Sequence, residues 1–500
     1  MSQLPQSSPS SLPIYRQLYE RLRSGILTGQ LAPGDRLPST RVMAKVLGVS
    51  RNTATAAIEL LQVEGLVRSE VGSGTRVSTL PGLEASRQAG RAPGTPKRIR
   101  EGALSKEAQR ILSTPFPETA YGKDALCENS PFLVGMPDTN EFPRELWART
   151  IARLARRSFD SVAPYQAHQG VPELRLAIAV HIAVSRGVRC WPEQIIVTAG
   201  AQGALYLAAR ALIDPGEAAS MEDPGYTGAR LALIARGARV CAVPVDAHGI
   251  TIPGGLADNP PGRMTIVTPS HQFPTSVTMP LARRRAVLDW AASSGGLIVE
   301  DDYDSEYRYS GAPVEALQAM DESERVIYVG TFSKTMYPSL RVGYLVLPPG
   351  LVDSFLATRI TGDLHPPVLE QLALAEFMSA GHYARHLRRM RQHYLERRDV
   401  LVHALTETLG DLLEPSVPEV GMHLVAWLTT RGSAEPLAQR ASLHGVHALP
   451  VSRFSARRLS RDGLVLGFSS ARPEELRAGV RTLGIALRNP RGALGARSRP

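Results

Sequence analysis

Between residues 195 and 329, four short β-branched runs alternate with stretches of helical periodicity: IIVT at 195–198, TIVT at 265–268, LIVE at 297–300 and VIYV at 326–329. No other feature constrains the fold as strongly. Strands this apolar have no face to offer to water, so both of their faces must be covered, and helices between successive strands supply the cover. The expected class is α/β, with a mostly parallel sheet and helices on both faces. In such sheets ligands bind at the carboxyl ends of the strands, so chemistry is expected in the residues that follow each run.

At 500 residues the chain exceeds what one core organises, and its first part reads differently. Ile14, Leu18, Leu22 and Ile26 recur every four positions on a helix that stops before Pro33-Gly34. Ser39 is placed to cap a short helix with Val42, Val46 and Leu47 inward, closed by Gly48. Ser50 caps a third helix with Ala54, Ala57, Ile58 and Leu61 inward, ended by Gly65. LVRSEVGSGTRVS follows as a hairpin around Gly72-Ser73-Gly74. Three helices with a short second one and a β-wing make a small winged helix-turn-helix, whose third helix can lie in the major groove.

The formal charge of +10 is unevenly spread. Residues 11–80 hold nine Lys/Arg against five Asp/Glu, residues 81–117 seven against three, and residues 483–500 four against none. A basic module on a near-neutral body suggests a nucleic-acid partner, although charge alone also fits a solvated surface. The longest apolar stretches fall short of a membrane span, and MSQLPQSSPSSLP lacks the basic and apolar regions of a secretory signal. A soluble, cytoplasmic protein is expected. Cys127, Cys190 and Cys241 lie far apart without metal-ligand spacing, so neither a disulfide framework nor a metal site is expected. The chain thus divides into a winged helix at 11–80, a Pro/Gly/Ala/Arg-rich linker at 81–117 with a short helix near 104–112, a large α/β domain at 118–488 and a basic disordered tail at 489–500.

Exposed residues carry the DNA-binding reading. Ser39, Thr40 and Arg41 open the second helix, Arg51, Asn52 and Thr53 open the third, and Gly72 and Ser73 form the wing tip. Arg and Asn read purine edges, while hydroxyls and helix N-termini hold phosphates. Each residue taken singly also fits a cap or a solvent position. Together, "GQLAPGDRLPSTRVMAKVLGVSRNTATAAIELLQVEGLV" and "VGSGTRV" resemble the GntR-type winged helix over residues 13 to 78. By that resemblance Arg41, Arg51, Asn52, Thr53 and Gly72 match positions that touch DNA. Thr55 stands where some relatives have another Arg, so base preference does not carry over.

The large domain carries its signals at strand ends. AGAQGALYLAAR follows the first run, DDYDSEYRY the third and GTFSKTMYPSLRVGY the fourth. A helix N-terminus, an acid, a tyrosine, hydroxyls, a lysine and an arginine, met in this order at successive strand ends, are what pyridoxal 5'-phosphate asks of a protein. Alone, Lys334 reads as a surface lysine and Asp301 as a loop acid. The motifs "MEDPGYTGAR", "TPSHQFPTS", "VEDDYDSEYRY" and "TFSKTMYPSLRVGY" are similar to those of fold-type-I aminotransferases, and more closely to the MocR family, in which that fold is fused to a GntR head. The likeness runs from about residue 13 to 488. It implies Lys334 as the Schiff-base lysine, Asp301 at the pyridine nitrogen, Tyr303 at the ring hydroxyl and Tyr226 stacked on the ring. Ala201, Gln202, Thr331, Ser333 and Arg341 match the phosphate cup.

Three departures bear on the effector. Phe273 precedes Pro274-Thr275 where aminotransferases have Asn, with Ser276 for the usual glycine. Val465 stands where an Arg usually clamps the substrate carboxylate, a role then weakened or left to Arg230, Arg453 or Arg472. Gly228 occupies the place of an Arg found in amino-acid-binding regulators. The expected function is a homodimeric, DNA-binding transcriptional regulator that senses pyridoxal phosphate itself, an amine or an amino acid; the alternative is a working aminotransferase with an accessory N-terminal domain.

Overall fold

Two serines set the N-terminal helices in place. Ser39 Oγ accepts from the Val42 amide at 3.4 Å ahead of α2 (Thr40–Leu47), and Ser50 Oγ accepts from the Thr53 amide at 3.1 Å ahead of α3 (Arg51–Val63). With α1 (Ile14–Thr28) and the antiparallel hairpin of β1 (Val67–Glu70) and β2 (Gly74–Val77), these form one of two compact units, Met1–Ala103 and Leu104–Pro500. This computed structural model describes residues 12–70, 74–79, 104–114, 130–157, 163–252, 262–311 and 314–488; the wing tip at Gly72 and Ser73, Cys127 and the tail lie outside them.

Ala54, Ala57, Ile58 and Leu61 of α3 pack on Leu18, Ile26, Met43 and Ala44. The second helix is turned relative to the sequence reading. Met43 and Ala44 face inward, whereas Val42 and Val46 are 49% and 67% exposed, because residues four apart share a face and these two share the outer one. Ile14, at the first turn of α1, is likewise 60% exposed.

The second unit is built on an eight-stranded sheet among the described residues. Its strands are β3 (Ile195–Thr198), β4 (Ala218–Asp223), β5 (Arg239–Asp246), β6 (Gly249–Ile250), β7 (Met264–Val267), β8 (Leu297–Asp302), β9 (Val326–Thr331) and β10 (Gly343–Val346), in the order β3-β10-β9-β8-β7-β4-β5-β6. β9, β8, β7, β4 and β5 run parallel, while β10 lies antiparallel between β3 and β9. Alternate residues enter different cores: Ile195 and Val197 pack in one hydrophobic cluster and Ile196 in another, as the two-residue period of a doubly covered strand requires. Because β10 is antiparallel to both neighbours, β3 runs in the direction of β8 and β9, and all three end at the same edge.

A second, antiparallel sheet joins β11 (Leu413–Pro415), β12 (His423–Leu428), β13 (Leu449–Pro450) and β14 (Gly463–Gly467) in the order β11-β12-β14-β13. Inside the stretch read as linker, the helix Lys106–Ser113 belongs to this unit. Arg110 donates to the carbonyls of Ile234 and Ala235 at 3.1 and 3.0 Å, in the last turn of helix Thr227–Arg236. No helix among the described residues is long and apolar enough to cross a membrane.

Candidate cofactor cavity and DNA-binding surface

The strand ends open into a cavity of about 730 Å³ that is lined by Lys334, Asp301, Tyr303, Tyr226, Ala201, Gln202, Thr331, Ser333 and Arg341 together. All nine residues picked from the sequence for a cofactor therefore meet in one place. Asp301 ends β8, Thr331 ends β9, and Ala201 and Gln202 open the helix Gly200–Leu212 that follows β3.

Lys334 Nζ donates to the Gly135 carbonyl at 2.8 Å. At Gly135, φ is +69°, which favours glycine, and a Cβ would fall 2.6 Å from that nitrogen, so the lysine tip would have to move for any other residue. Asp301 is buried and its Oδ1 has no hydrogen-bond partner; burial, then the neighbouring Asp302, pushes its pKa up to about 7. Asp302 goes the other way: although burial opposes its charge, Arg186 at 2.7 Å and the Tyr328 hydroxyl at 2.7 Å hold it below the ordinary value. Two adjacent acids thus differ in role, one locked in an ion pair and one facing the cavity. Arg341 Nη2 donates to the Ala199 carbonyl at 2.8 Å, which lays its guanidinium against the start of helix Gly200–Leu212. Ser333 Oγ is buried without a partner nearby. Guanidinium, free hydroxyl and helix N-terminus together make a strong anion site. Tyr226 reaches Gln202 Oε1 at 3.3 Å and packs edge-on to Phe273.

Behind Tyr303 lies a buried group to which the sequence reading gave no role. His271 Nδ1 is 3.0 Å from Asp304 Oδ1 and 3.0 Å from the Tyr303 hydroxyl, and the His423 ring lies 4.6 Å away. His271 stands in "TPSHQFPTS", but its partner comes from a different strand end, and nothing local in the sequence announces the pairing.

On the N-terminal unit, Arg41, Arg51 and Asn52 are exposed, and Ser39, Thr40 and Thr53 stand at the first turns of α2 and α3. The wing adds residues the sequence reading passed over. Arg68 faces Arg76 directly across the hairpin, both exposed, and Arg36 bridges to Arg76. Like charges directly opposite destabilise a hairpin, a cost that a bound anion relieves.

The aminotransferase class I and II family matches residues 136–471, and the gntR family of bacterial regulatory proteins matches residues 14–77. The chain is 41% identical to the probable rhizopine catabolism regulatory protein MocR of Rhizobium meliloti, covering 96% of this chain and 94% of that one. This chain belongs to the MocR family of transcriptional regulators. It is also 35% identical to the transcriptional regulator TauR of Rhodobacter capsulatus, over 95% of this chain and 96% of that one. Among solved structures, the α-aminoadipate aminotransferase LysN of Thermus thermophilus, complexed with N-(5'-phosphopyridoxyl)-L-leucine, superposes with a TM-score of 0.70 at 30% identity, over 77% of this chain and 97% of that one.

The cavity of this MocR-family chain fits pyridoxal phosphate on its own geometry. The unpartnered Asp301 oxygen suits a protonated ring nitrogen, and the unpartnered Ser333 hydroxyl and Arg341, on the same lining, suit a phosphate. None of the three arginines considered for a carboxylate clamp lines it. Arg230 is paired with Asp223 at 2.8 Å, Arg453 with Glu435 at 2.5 Å and Arg472 with Glu475 at 2.8 Å.

Proposed function

We propose that the second unit of this regulator senses pyridoxal phosphate, alone or with an amine or amino acid, and that the N-terminal unit turns the result into a change in binding to double-stranded DNA. What carries this reading is the convergence of Lys334, Asp301 and an anion cup in one cavity of a chain that also holds a basic winged helix. When bound, pyridoxal phosphate supplies an electrophilic carbonyl and an electron sink. Lys334 is the residue that would hold it covalently. Asp301 would keep the ring nitrogen protonated, Tyr303 would bond the ring hydroxyl and Tyr226 would cover the ring. The amides of Ala201 and Gln202, with Thr331, Ser333 and Arg341, would bind the phosphate.

On DNA, Arg51 and Asn52 would read base edges, with Ser39, Thr40, Arg41, Thr53, Gly72 and Ser73 on the backbone or in the adjoining groove. The protein acts in the cytoplasm as a homodimer on repeated half-sites, and the part of the linker that precedes the docked helix Lys106–Ser113 lets the heads adapt to spacing. The intact Lys334–Asp301 pair keeps slow transamination chemically open, and the aminotransferase family match is its support.

Two variants test the division of labour. Arg51→Ala is expected to weaken operator affinity by about tenfold to a hundredfold and leave the visible absorption of the bound cofactor as it was. Lys334→Ala is expected to abolish that absorption and the effector response while DNA binding persists. Rapid transamination with no operator binding at low salt would replace the regulator by an enzyme.

A further inference from the structure

The cavity has two unlike halves. One carries Lys334, Asp301, Thr331, Ser333 and Arg341; the other is closed by Val134, Phe273, Leu449 and Phe454. Behind that apolar wall lie Val425, Val451 and Val465, all fully buried, with Val465 directly opposite Leu449 in the β13–β14 ladder. The wall is therefore hydrocarbon two layers deep.

The arginines beside it are already paired. Arg453, next to Phe454 in the chain, grips Glu435 with Nε at 2.9 Å and Nη2 at 2.5 Å. Arg230 reaches Asp223 at 2.8 Å and the Phe454 carbonyl at 3.4 Å. His423 lines the cavity too, but burial, then His271 and Lys334, hold its pKa well below the ordinary value, so it is uncharged near neutrality. Among the described residues, Lys334 and Arg341 are the only Lys or Arg on the lining, and both belong to the charged half. A carboxylate carried to the apolar wall would lose its water and meet no lysine or arginine there, which is unfavourable; His447, half-buried and two residues before Leu449, is a further basic side chain on the lining. An amine without a carboxylate meets no such penalty.

We propose that the small molecule joining the cofactor in this cavity is a primary amine that lacks an α-carboxylate and carries an uncharged body. The proposal rests on the reading of the second unit as a cofactor-dependent amine sensor. Its test uses the cofactor-loaded full chain and matched pairs that differ only by the carboxylate: isobutylamine against valine, and phenethylamine against phenylalanine. The readout is the concentration giving half-maximal change of the visible band. Each amine is expected to act at a concentration at least about tenfold lower than its amino acid. Leu449→Arg, which sets a guanidinium on the wall, is expected to move that ratio about tenfold or more toward the amino acid; retention of the visible band reports that the variant is folded, and Val465→Arg is the second route to the same charge. If Leu449→Arg and Val465→Arg both fail to hold the cofactor, the wild-type pairs decide alone. Amino acids acting at the lower concentration would overturn the proposal and leave the sensor intact. If neither member of any pair alters the band, amine sensing itself is wrong and the proposal falls with it.

Discussion

Replacing Asp301 by Asn should make the cofactor-free protein less sensitive to pH. Asp301 is 4% exposed, its Oδ1 lacks a hydrogen-bond partner, and burial raises its pKa from 3.8 to about 7. A carboxyl whose folded pKa lies above its unfolded one is stabilising, relative to its ionised form, only while protonated. Its contribution is intact below the unfolded pKa, is lost progressively as pH climbs from 3.8 to about 7, and stays lost above that. A rise of about three units corresponds to about 4 kcal/mol at the alkaline end, of which about 2–3 kcal/mol is lost between about pH 5 and about pH 8. Asn cannot ionise, so Asp301→Asn should remove this part of the fall. Glu222, Glu300 and Glu306, raised by burial to about 7, about 7 and about 8, remain in both proteins, so a smaller slope should persist. Urea unfolding followed by tryptophan fluorescence is the assay, because Trp147, Trp191, Trp290 and Trp427 all lie in the second unit. Adding pyridoxal phosphate at the alkaline end should stabilise the wild type more than the variant, since the ring nitrogen supplies the missing positive charge. An equal loss of stability between the two pH values in both proteins would refute the assignment of a raised, cavity-facing carboxyl.

Other perturbations follow from the same geometry. Arg186→Met strands the Asp302 carboxylate, whose side chain is 1% exposed, and should cost about 3–5 kcal/mol in the same unfolding assay; a loss under about 1 kcal/mol would mean the pair is dispensable. Gly421→Ala sets a Cβ 2.1 Å from the His271 ring at a φ of +93°, so soluble, cofactor-loaded protein should fall sharply, and a normal yield would mean that loop yields easily. Arg68→Ala and Arg76→Ala should each lower the salt dependence of DNA binding by about one phosphate contact without changing sequence preference, and an unchanged slope would remove the wing from the interface.

The local features were legible in the sequence because short-range physics sets them. Ser39 and Ser50 cap helices through the amides three residues on. The runs IIVT and VIYV could be read as doubly covered strands because apolarity on both faces leaves no other use for them. The residues that line the cavity were legible for a related reason: in an α/β sheet a ligand site lies just past the strand ends, which is where Asp301 and Lys334 stand in the sequence. Val42 and Val46 were misread because a two-turn helix with apolar residues on two sides gives periodicity too little length to choose a face.

Tertiary structure decided what depends on contact between distant segments. No sequence pattern marks β10 as the antiparallel strand that brings β3 beside the other strand ends. Gly135 meets Lys334, and Asp304 meets His271, only through packing. The same holds for the arginines: Arg230 and Arg453 were open as carboxylate clamps by composition, and Asp223 and Glu435 closed that option. A residue's type fixes what charge it can bring, but the partner that neutralises or frees that charge is chosen by the fold, and in a low-dielectric cavity the partner determines which ligands can enter.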